Sequence, residues 1–573
     1  MHQPHAQPRP SIYFPYRVFD PWLPDGAANV EQHSVVVVGA GPIGLVTALL
    51  LARHGVRCVM LESELQVSEG SRAIAFTRRS LEILQQAGIA ERVTAMGLPW
   101  RFGNSYYRGQ RVFRMENPHD PNDRFAPLIN IQQQYLEAFL IDEARASGLI
   151  ELRWGNKLER LVADADGATL EVDTPSGPYT LRTDWLVAAD GARSVVRSQM
   201  GLKMEGASYE GRFVIADIRV DLPLPTERLA FFDPDWNPGN TILMHREPHG
   251  LWRLDYQLPP NETPEEALRP ASLKARIDAQ LAMIGHPGVA WTLDWSSVYA
   301  ARALTLPDYV HGRVAFTGDA AHLLPIFGVR GANTGFQDAQ GLAWRLAMVV
   351  KGLSDPALLR SYSSERVAAA REIVDEAGKS TRFMTPPTRG FRLLRDAVLS
   401  LSLTQAFVRP LYHWRTSRPH EYGASPLNSA NDDNALFSTG PGHGAPARNV
   451  ILGNNDHLLD HLEHGFTLLC ATGEALPDGV GAVLAEFRGQ GVPISVVAVG
   501  AMGPVAGADL LIADADGALR ERYGLTEPGG AYLLRPDHHV CARWKHVNAP
   551  RLAQALRQAA ALLPEHQMVE KQA

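Results

Sequence analysis

The sequence predicts an α/β fold, and three short stretches predict it. Gly39-Ala40-Gly41-Pro42-Ile43-Gly44 follows an apolar, β-branched run at 34–38. Asp190-Gly191 ends a second apolar run in mid-chain, and Gly318-Asp319-Ala320-Ala321-His322 ends a third. Short apolar strands that finish at glycine, with helical spacing after the first, belong to a parallel sheet covered by helices.

The glycines of the first stretch have separable tasks. Gly39 permits a tight turn, and Gly41, lacking Cβ, lets a pyrophosphate approach the backbone. Gly44 lets the following helix, residues 42–54, lie close to the strand. Leu45, Ala48, Leu49 and Ala52 form that helix's apolar side. Its N-terminus offers free N–H groups and partial positive charge to phosphates. A second strand at 57–61 ends at Glu62, where an acid is expected to meet a ribose hydroxyl. The unit is Rossmann-like and does not choose between NAD and FAD.

The other motifs make that choice. Residues 184–197, which include Asp190, Gly191 and Arg193, resemble the Asp-Gly motif of single-component (class A) flavoprotein aromatic hydroxylases. Residues 313–322 resemble their Gly-Asp motif. Pro325-Ile326-Phe327-Gly328-Val329-Arg330-Gly331-Ala332-Asn333 resembles their flavin-ring loop. Ser71-Arg72-Ala73 and Gln133 fall where the family has side chains that contact FAD. The likeness spans nearly all of residues 34–380. Residues 514–517, 522–524 and 532–537 resemble the C-terminal thioredoxin-like domain of the phenol hydroxylase branch. Within that branch the chain is most similar to proteins labelled 3-(3-hydroxyphenyl)propionate hydroxylase-like, a broad group and not a substrate assignment.

The resemblance implies a Rossmann-like FAD-binding domain with an inserted β-sheet substrate domain and a C-terminal thioredoxin-like domain. The expected parts are an arm at 1–33, an FAD domain at 34–205 and 300–420, and a substrate domain at 206–299. A linker at 421–450, rich in Gly, Pro, Ser and Asn, leads to a domain at 451–573. FAD is expected to contact Gly39, Gly41, Gly44, Glu62, Arg72, Gln133, Asp190, Gly318, Asp319, Gly331, Ala332 and Asn333. Pro325, Arg330 and Asn333 are the residues expected at the reacting ring. The implied reaction uses NADH or NADPH and O2. A flavin C4a-hydroperoxide passes a hydroxyl to a phenolic ring in a site that excludes water. Epoxidation, Baeyer–Villiger insertion and oxidative decarboxylation stay open on such a scaffold, as does a non-catalytic flavin-binding role.

Arg330 departs from the family pattern, where Gly-Gln-Gly or Gly-Ser-Gly often precedes the final Asn. It is read either as a fixed cation at the flavin edge, for reduced flavin or a substrate carboxylate, or as a solvent-facing side chain. The strand-like runs 213–220, 241–245 and 251–258 carry Asp217, His245, Arg253 and Tyr256, the candidates for touching substrate. Strand alternation turns about half of such side chains outward.

The bulk properties bound the rest. The 573 residues, 45% hydrophobic and 20% charged, fit a globular enzyme of two or three domains. A net charge of −7 argues against nucleic-acid binding. No apolar run reaches membrane-spanning length, and residues 1–10 lack an apolar signal core, so a cytoplasmic protein is expected. Cys58, Cys470 and Cys541 read as buried free thiols. Without a Cys-x-x-Cys pair, the last domain is expected to lack dithiol chemistry and to serve binding or homodimerisation. His457, His461 and His464 share helical spacing and read as a solvated helix surface, not a metal site.

Overall fold

The computed structural model describes residues 1–24, 30–70, 73–259, 261–325, 327–412, 418–453, 456–462 and 464–562. Its first sheet has eight strands, six of them in the order Val310–His311, Val314–Phe316, Gly177–Ala188, Glu31–Val38, Cys58–Glu62 and Ile150–Trp154. The last five of these are mutually parallel. A hairpin, Lys157–Ala163 and Ala168–Thr174, pairs antiparallel with Gly177–Ala188. The strand Glu31–Val38 alternates in burial over its first half and is wholly buried over its second. That change marks where helices begin to cover both faces. Those helices include Pro42–Arg53, Gln133–Ala146 and Gly331–Val350.

The second sheet has eight strands. Its order is His322–Leu323, Trp291–Thr305, Glu205–Val220, Leu251–Gln257, Thr241–Glu247, Arg228–Phe232, Phe102–Tyr107 and Gln110–Glu116. It therefore draws strands from both sides of residues 206–299. Even-numbered side chains of its central strands (Val214, Ala216, Ile218, Met244, Leu254, Tyr256) pack against Leu273, Ile277 and Leu281 of the helix Pro270–Met283. Odd-numbered side chains face the other way, as pleating requires.

The last domain has a five-stranded sheet in the order Leu510–Ile512, Ile494–Val499, Phe466–Ala471, Ala531–Leu534 and Val540–Trp544. The first three strands are parallel and the last two antiparallel, with helices Val480–Gly489 and Ala549–Ala560 attached, a thioredoxin-like arrangement. All three cysteines are free and buried. Residues 421–450 hold little regular structure yet bury Tyr422, Leu427, Ala445, Ala447 and Val450.

One expectation is corrected in this region. His457 is buried and bonded to Asn449 Nδ2 at 3.1 Å, while His461 pairs with Asp456 at 2.6 Å. The segment is a short strand followed by a 3-10 turn, Leu458–His461, so the three histidines share no solvated helix face. Among the described residues no group of side chains is arranged to hold a metal ion, and no helix is long and apolar enough to cross a membrane.

Candidate active site

Four neighbouring parallel strands of the first sheet end together. Val314–Phe316 leads to Gly318-Asp319, Gly177–Ala188 to Asp190-Gly191, Glu31–Val38 to Gly39, and Cys58–Glu62 stops at Glu62. Ligands of open α/β sheets bind at such carboxyl ends. Backbone bonds carry the register into the motifs: Ala189 N–H donates to Val38 O at 2.9 Å, and Thr317 N–H donates to Ala188 O at 3.0 Å.

The glycines divide their work as the sequence predicts. Gly39 has φ of +101°, and a Cβ there would lie 2.5 Å from Ala189 O. A Cβ on Gly44 would collide with the Gly39 carbonyl oxygen. A Cβ on Gly41 would meet no atom within 4 Å, so this face of the turn is open. A Cβ on Gly335 would come within 2.7 Å of Ile43 Cδ1, and one on Gly318 within 3.1 Å of the Ile43 side chain. The helices Pro42–Arg53 and Gly331–Val350 therefore cross closely beside the Gly-Asp turn. Neither has a side chain capping its N-terminus. Both ends keep N–H donors and partial positive charge for an anionic or carbonyl-bearing ligand.

The acids are set around this point. Asp190 Oδ2 takes the Val196 N–H at 3.1 Å, while Oδ1 is buried with no hydrogen-bond partner among the described residues. Burial pushes this carboxyl above its ordinary range, with Ser194 and Val196 opposing. Asp319 is exposed on the turn Gly318–Ala320. Glu62 takes the N–H of Ala40 and of Glu64, each at 2.9 Å, which braces the glycine turn from beneath. Gln133 donates to Glu137 at 2.7 Å and takes the Ala73 N–H at 3.1 Å. Ser71 and Arg72 lie outside the described residues. An open glycine turn, two uncapped helix ends and an orphaned buried carboxylate oxygen fit the pyrophosphate, ring and ribityl hydroxyls of FAD.

The ring loop decides between the two readings of Arg330. Arg330 does not face solvent: it is 5% exposed, with Nε donating to Phe327 O at 3.3 Å. Asn333 is spent on protein contacts. Its Oδ1 takes the Thr77 N–H at 2.8 Å and the Ser80 hydroxyl at 2.6 Å. Its Nδ2 donates to Ala75 O at 3.0 Å and Val329 O at 2.7 Å. It ties the ring loop to residues 75–80, a positioning role. Pro325 is buried, and Gly331 and Ala332 are half-buried at the helix start.

The large sheet brings three of the four substrate candidates into one cross-strand row. Asp217 stands opposite Arg253, and Arg253 opposite His245. Arg253 grips Asp217 with two hydrogen bonds of 2.8 Å. His245 Nδ1 is buried without a partner among the described residues, and its ring lies 6.2 Å from that of Trp100. Burial, then Arg228 and Arg253, hold His245 well below its ordinary value, so it is neutral. Tyr256 is corrected. It lies on the even face, edge-on to Trp236 at 5.8 Å.

Sequence reasoning missed several members of this face. Asp255, Arg228 and Tyr299 join the polar row, and Asp255 is pushed up to about 7 by burial, with Arg253 opposing. Beside them lies an apolar patch that includes Phe213, Leu243, Phe232 and ring-loop Phe327. Asp338 was missed too. Its Oδ2 takes the Gly318 N–H at 3.1 Å and meets His322 Nε2 at 2.6 Å, while Oδ1 accepts from Arg366 at 2.6 Å. Arg366 continues to the Tyr422 hydroxyl at 2.7 Å. Asp338 stands on the same stripe as Leu342 and Leu346, a charge where helical spacing calls for an apolar side chain.

Known proteins share this arrangement. The FAD binding domain family matches residues 32–377. The 3-(3-hydroxy-phenyl)propionate/3-hydroxycinnamic acid hydroxylase of Mycolicibacterium smegmatis is 29% identical over 444 residues, 76% of each chain. The 6-methylpretetramide 4-monooxygenase of Streptomyces rimosus is 28% identical over 559 residues, 94% of this chain and 95% of its own. The crystal structure of aklavinone-11 hydroxylase with FAD and aklavinone has a TM-score of 0.75 at 26% identity, covering 93% of this chain and 99% of that one. The flavin-dependent monooxygenase PieE, in complex with FAD and substrate, has a TM-score of 0.74 at 26% identity over 94% of this chain and 99% of that one. The family match covers more than half of the chain, and the motifs it spans are those gathered at the sheet's carboxyl ends; the chain belongs to the FAD-binding monooxygenase family and is an FAD-dependent monooxygenase of the aromatic hydroxylase type.

Proposed function

We propose that the chain hydroxylates a phenolic ring held against the odd-numbered face of the large sheet, with electrons from NADH or NADPH and oxygen from O2. The observation that carries this reading is the row Asp217, Arg253 and His245 set beside the apolar patch that holds Phe327. Bound FAD would supply the redox chemistry, passing electrons from the nicotinamide to O2. The chain's own residues supply position, charge and dryness. Gly41 and the first helix end would hold the pyrophosphate, and Asp190 and Asp319 would accept hydrogen bonds from ribityl hydroxyls. The Gly331 helix end would supply positive charge that stabilises an anionic reduced ring.

Neutral His245, with Nδ1 unpartnered, accepts a hydrogen bond from the phenol hydroxyl, and the Arg228 and Arg253 guanidinium groups favour negative charge on that oxygen. Negative charge on that oxygen would enrich the ring in electrons and favour its hydroxylation. Trp100, Phe213 and Phe327 wall the ring from water, which limits wasteful release of hydrogen peroxide.

The relatives' names make a meta-substituted phenolic acid the first probe and a hydroxylated polycyclic aromatic the second. The test is NAD(P)H oxidation by the yellow protein with labelled O2, tracking peroxide and product mass. A product heavier by one labelled oxygen, with little peroxide, is expected. Failure to label any product across a broad panel of phenols overturns the reading. Product mass also separates hydroxylation from oxidative decarboxylation.

A further inference from the structure

The N-terminal arm crosses from one sheet to the other. On the large sheet, Asp294 Oδ1 takes the Ile12 N–H at 2.6 Å and the Ser11 hydroxyl at 2.8 Å, and Arg219 donates to Ile12 O. On the FAD-binding side, Tyr135 donates its hydroxyl to Tyr13 O at 3.0 Å. The Tyr16 hydroxyl donates to Ser68 O at 3.2 Å and takes Gln134 Nε2 at 3.2 Å and Gly70 N–H at 3.3 Å. Phe14, Tyr16 and Phe19 are buried. The arm is fixed at both banks, and Tyr13 sits in the middle of the span.

Tyr13 sends its hydroxyl inward. The oxygen is buried and has no hydrogen-bond partner among the described residues. Ile12, the residue before Tyr13, is held by Arg219, which shares one cross-strand row with Leu251 and Glu247. Burial pushes the Tyr13 phenol up, and Glu247, Asp217 and Asp294 add to the rise. Glu247 closes that row on the odd-numbered face. It is 1% exposed, and neither of its carboxyl oxygens has a hydrogen-bond partner among the described residues. Arg253 Nε stands 3.7 Å from Glu247 Oε1, beyond hydrogen-bond reach. Buried polar atoms in folded proteins are otherwise nearly always bonded. Three orphaned oxygens on two facing segments therefore mark a place where a ligand oxygen is received.

We propose that the arm is a wall of the substrate chamber, in which the Tyr13 hydroxyl and the Glu247 carboxyl together take an uncharged oxygen, a ketone or hydroxyl, carried by the aromatic substrate away from the ring that is oxidised. The proposal rests on the aromatic-substrate reading above. It assigns the arm a specificity role and Tyr13 a direct contact. Tyr13 presents its hydroxyl proton, and burial, with Asp217 adding and Arg253 opposing, pushes the Glu247 carboxyl well above its ordinary range, toward the protonated form; a carbonyl oxygen is received as acceptor and a hydroxyl in either sense.

The test compares meta-hydroxyphenyl butanone with meta-butylphenol, which share the phenol and differ in the remote ketone. Binding is read on the holoenzyme from the perturbation of flavin absorbance, without turnover. The ketone is expected to bind about tenfold more tightly, the worth of a well-made buried hydrogen bond. Tyr13→Phe and Glu247→Leu are expected to shrink the preference below about twofold, and Glu247→Gln to keep most of it. FAD content verifies that each variant is folded. A wild-type protein with no preference, or a preference that survives both Tyr13→Phe and Glu247→Leu, overturns the proposal. If neither phenol perturbs the flavin or speeds NAD(P)H oxidation, the aromatic-substrate reading fails instead. Iodide quenching of flavin fluorescence then decides the arm's part. Asp294→Ala, which unties the arm, is expected to raise quenching, and unchanged quenching overturns its role as a wall.

Discussion

Trp344 donates its indole N–H to Asp537 Oδ2 at 3.0 Å, and this bond joins the helix that opens at Gly331 to the C-terminal domain. It belongs to a buried network. Arg535 binds Asp537 through Nε at 3.0 Å and Nη2 at 2.9 Å, and binds Glu365 at 2.7 Å. Arg345, on the same helix as Trp344, reaches Glu365 at 2.7 Å, and Arg79 donates to Asp537 O at 2.9 Å. The domain without a dithiol thus grips the helix that begins at Gly331, directly after the ring loop.

Asp537→Ala is expected to destabilise strongly. It leaves Arg535 buried with half its partners, a change that costs about 3–5 kcal/mol when a buried pair is broken. Trp344→Phe removes one hydrogen bond and is expected to cost about 1 kcal/mol. Thermal unfolding and the FAD retained after gel filtration read both. A wild-type midpoint in Asp537→Ala contradicts the weld. For the same reason a chain ending near residue 430 is expected to misfold, so dimerisation is read from the mass of the full chain.

Gly41 and Gly44 are expected to fail in different ways. At Gly44 a methyl meets the Gly39 carbonyl, so Gly44→Ala strains the apoprotein by about 1–3 kcal/mol or more. At Gly41 the backbone is ordinary, φ −71°, and the space is open. Gly41→Ala leaves apoprotein stability unchanged within about 0.5 kcal/mol. It is expected to weaken FAD binding about tenfold or more, because the methyl occupies the path of the pyrophosphate. Equal apoprotein melting of the two variants would contradict this division.

Asp338 positions the Gly-Asp turn through the Gly318 N–H. Burial works against its charge, but Arg366 and then His322 overcome burial and hold the carboxyl below its ordinary range. The sign follows. Its stabilising effect is present above the unfolded value near about 4 and is lost as pH falls through the lower folded value. Asp338→Asn is expected to lose about 3–5 kcal/mol at neutral pH, to loosen FAD, and to show a flatter stability profile below about pH 4. An acid limb as steep as wild type would show that other carboxylates govern it.

The motifs were legible because they are local. Gly39, Gly41 and Gly44 act within one turn, and the strands at Asp190 and Asp319 end in recognisable turns. The helical spacing of Phe336, Ala339, Leu342, Ala343 and Leu346 likewise marks the long helix from Gly331. The face of Tyr256 was not legible, because alternation gives two faces and leaves open which one packs on a helix. The ties of the Asn333 side chain were not legible, because three of its four partners, Ala75, Thr77 and Ser80, come from a segment distant in sequence. Asp338 carried a signal in its place on an apolar stripe, but its meaning required Arg366 and His322, which no local pattern supplies. The course of the arm was not legible, because its crossing is set by Asp294, distant in sequence, which takes the Ile12 N–H.

Asp255 is the group expected to set the pH dependence of substrate binding. Burial pushes its carboxyl up to about 7, with Arg253 and Arg228 opposing and Asp217 adding to the rise. Below that value it is neutral, and the face carries Arg228 and Arg253 against Asp217. Above it a second carboxylate cancels the excess positive charge. An anionic phenolic acid is therefore expected to bind more weakly by about threefold to tenfold as pH rises from about 6 to about 8. Arg228, pulled down to about 9 by burial, adds a further loss at higher pH. Asp255→Asn is expected to flatten the lower limb while leaving the upper one. Folding linkage has the same origin. An acid raised in the folded state contributes stability below its unfolded value near about 4 and loses it as pH rises to the folded value, so Asp255→Asn is expected to gain thermal stability at about pH 8. If the variant keeps the wild-type fall in binding between about pH 6 and about pH 8, the titration belongs to the substrate or to another residue, and the charge balance argued for this face is wrong.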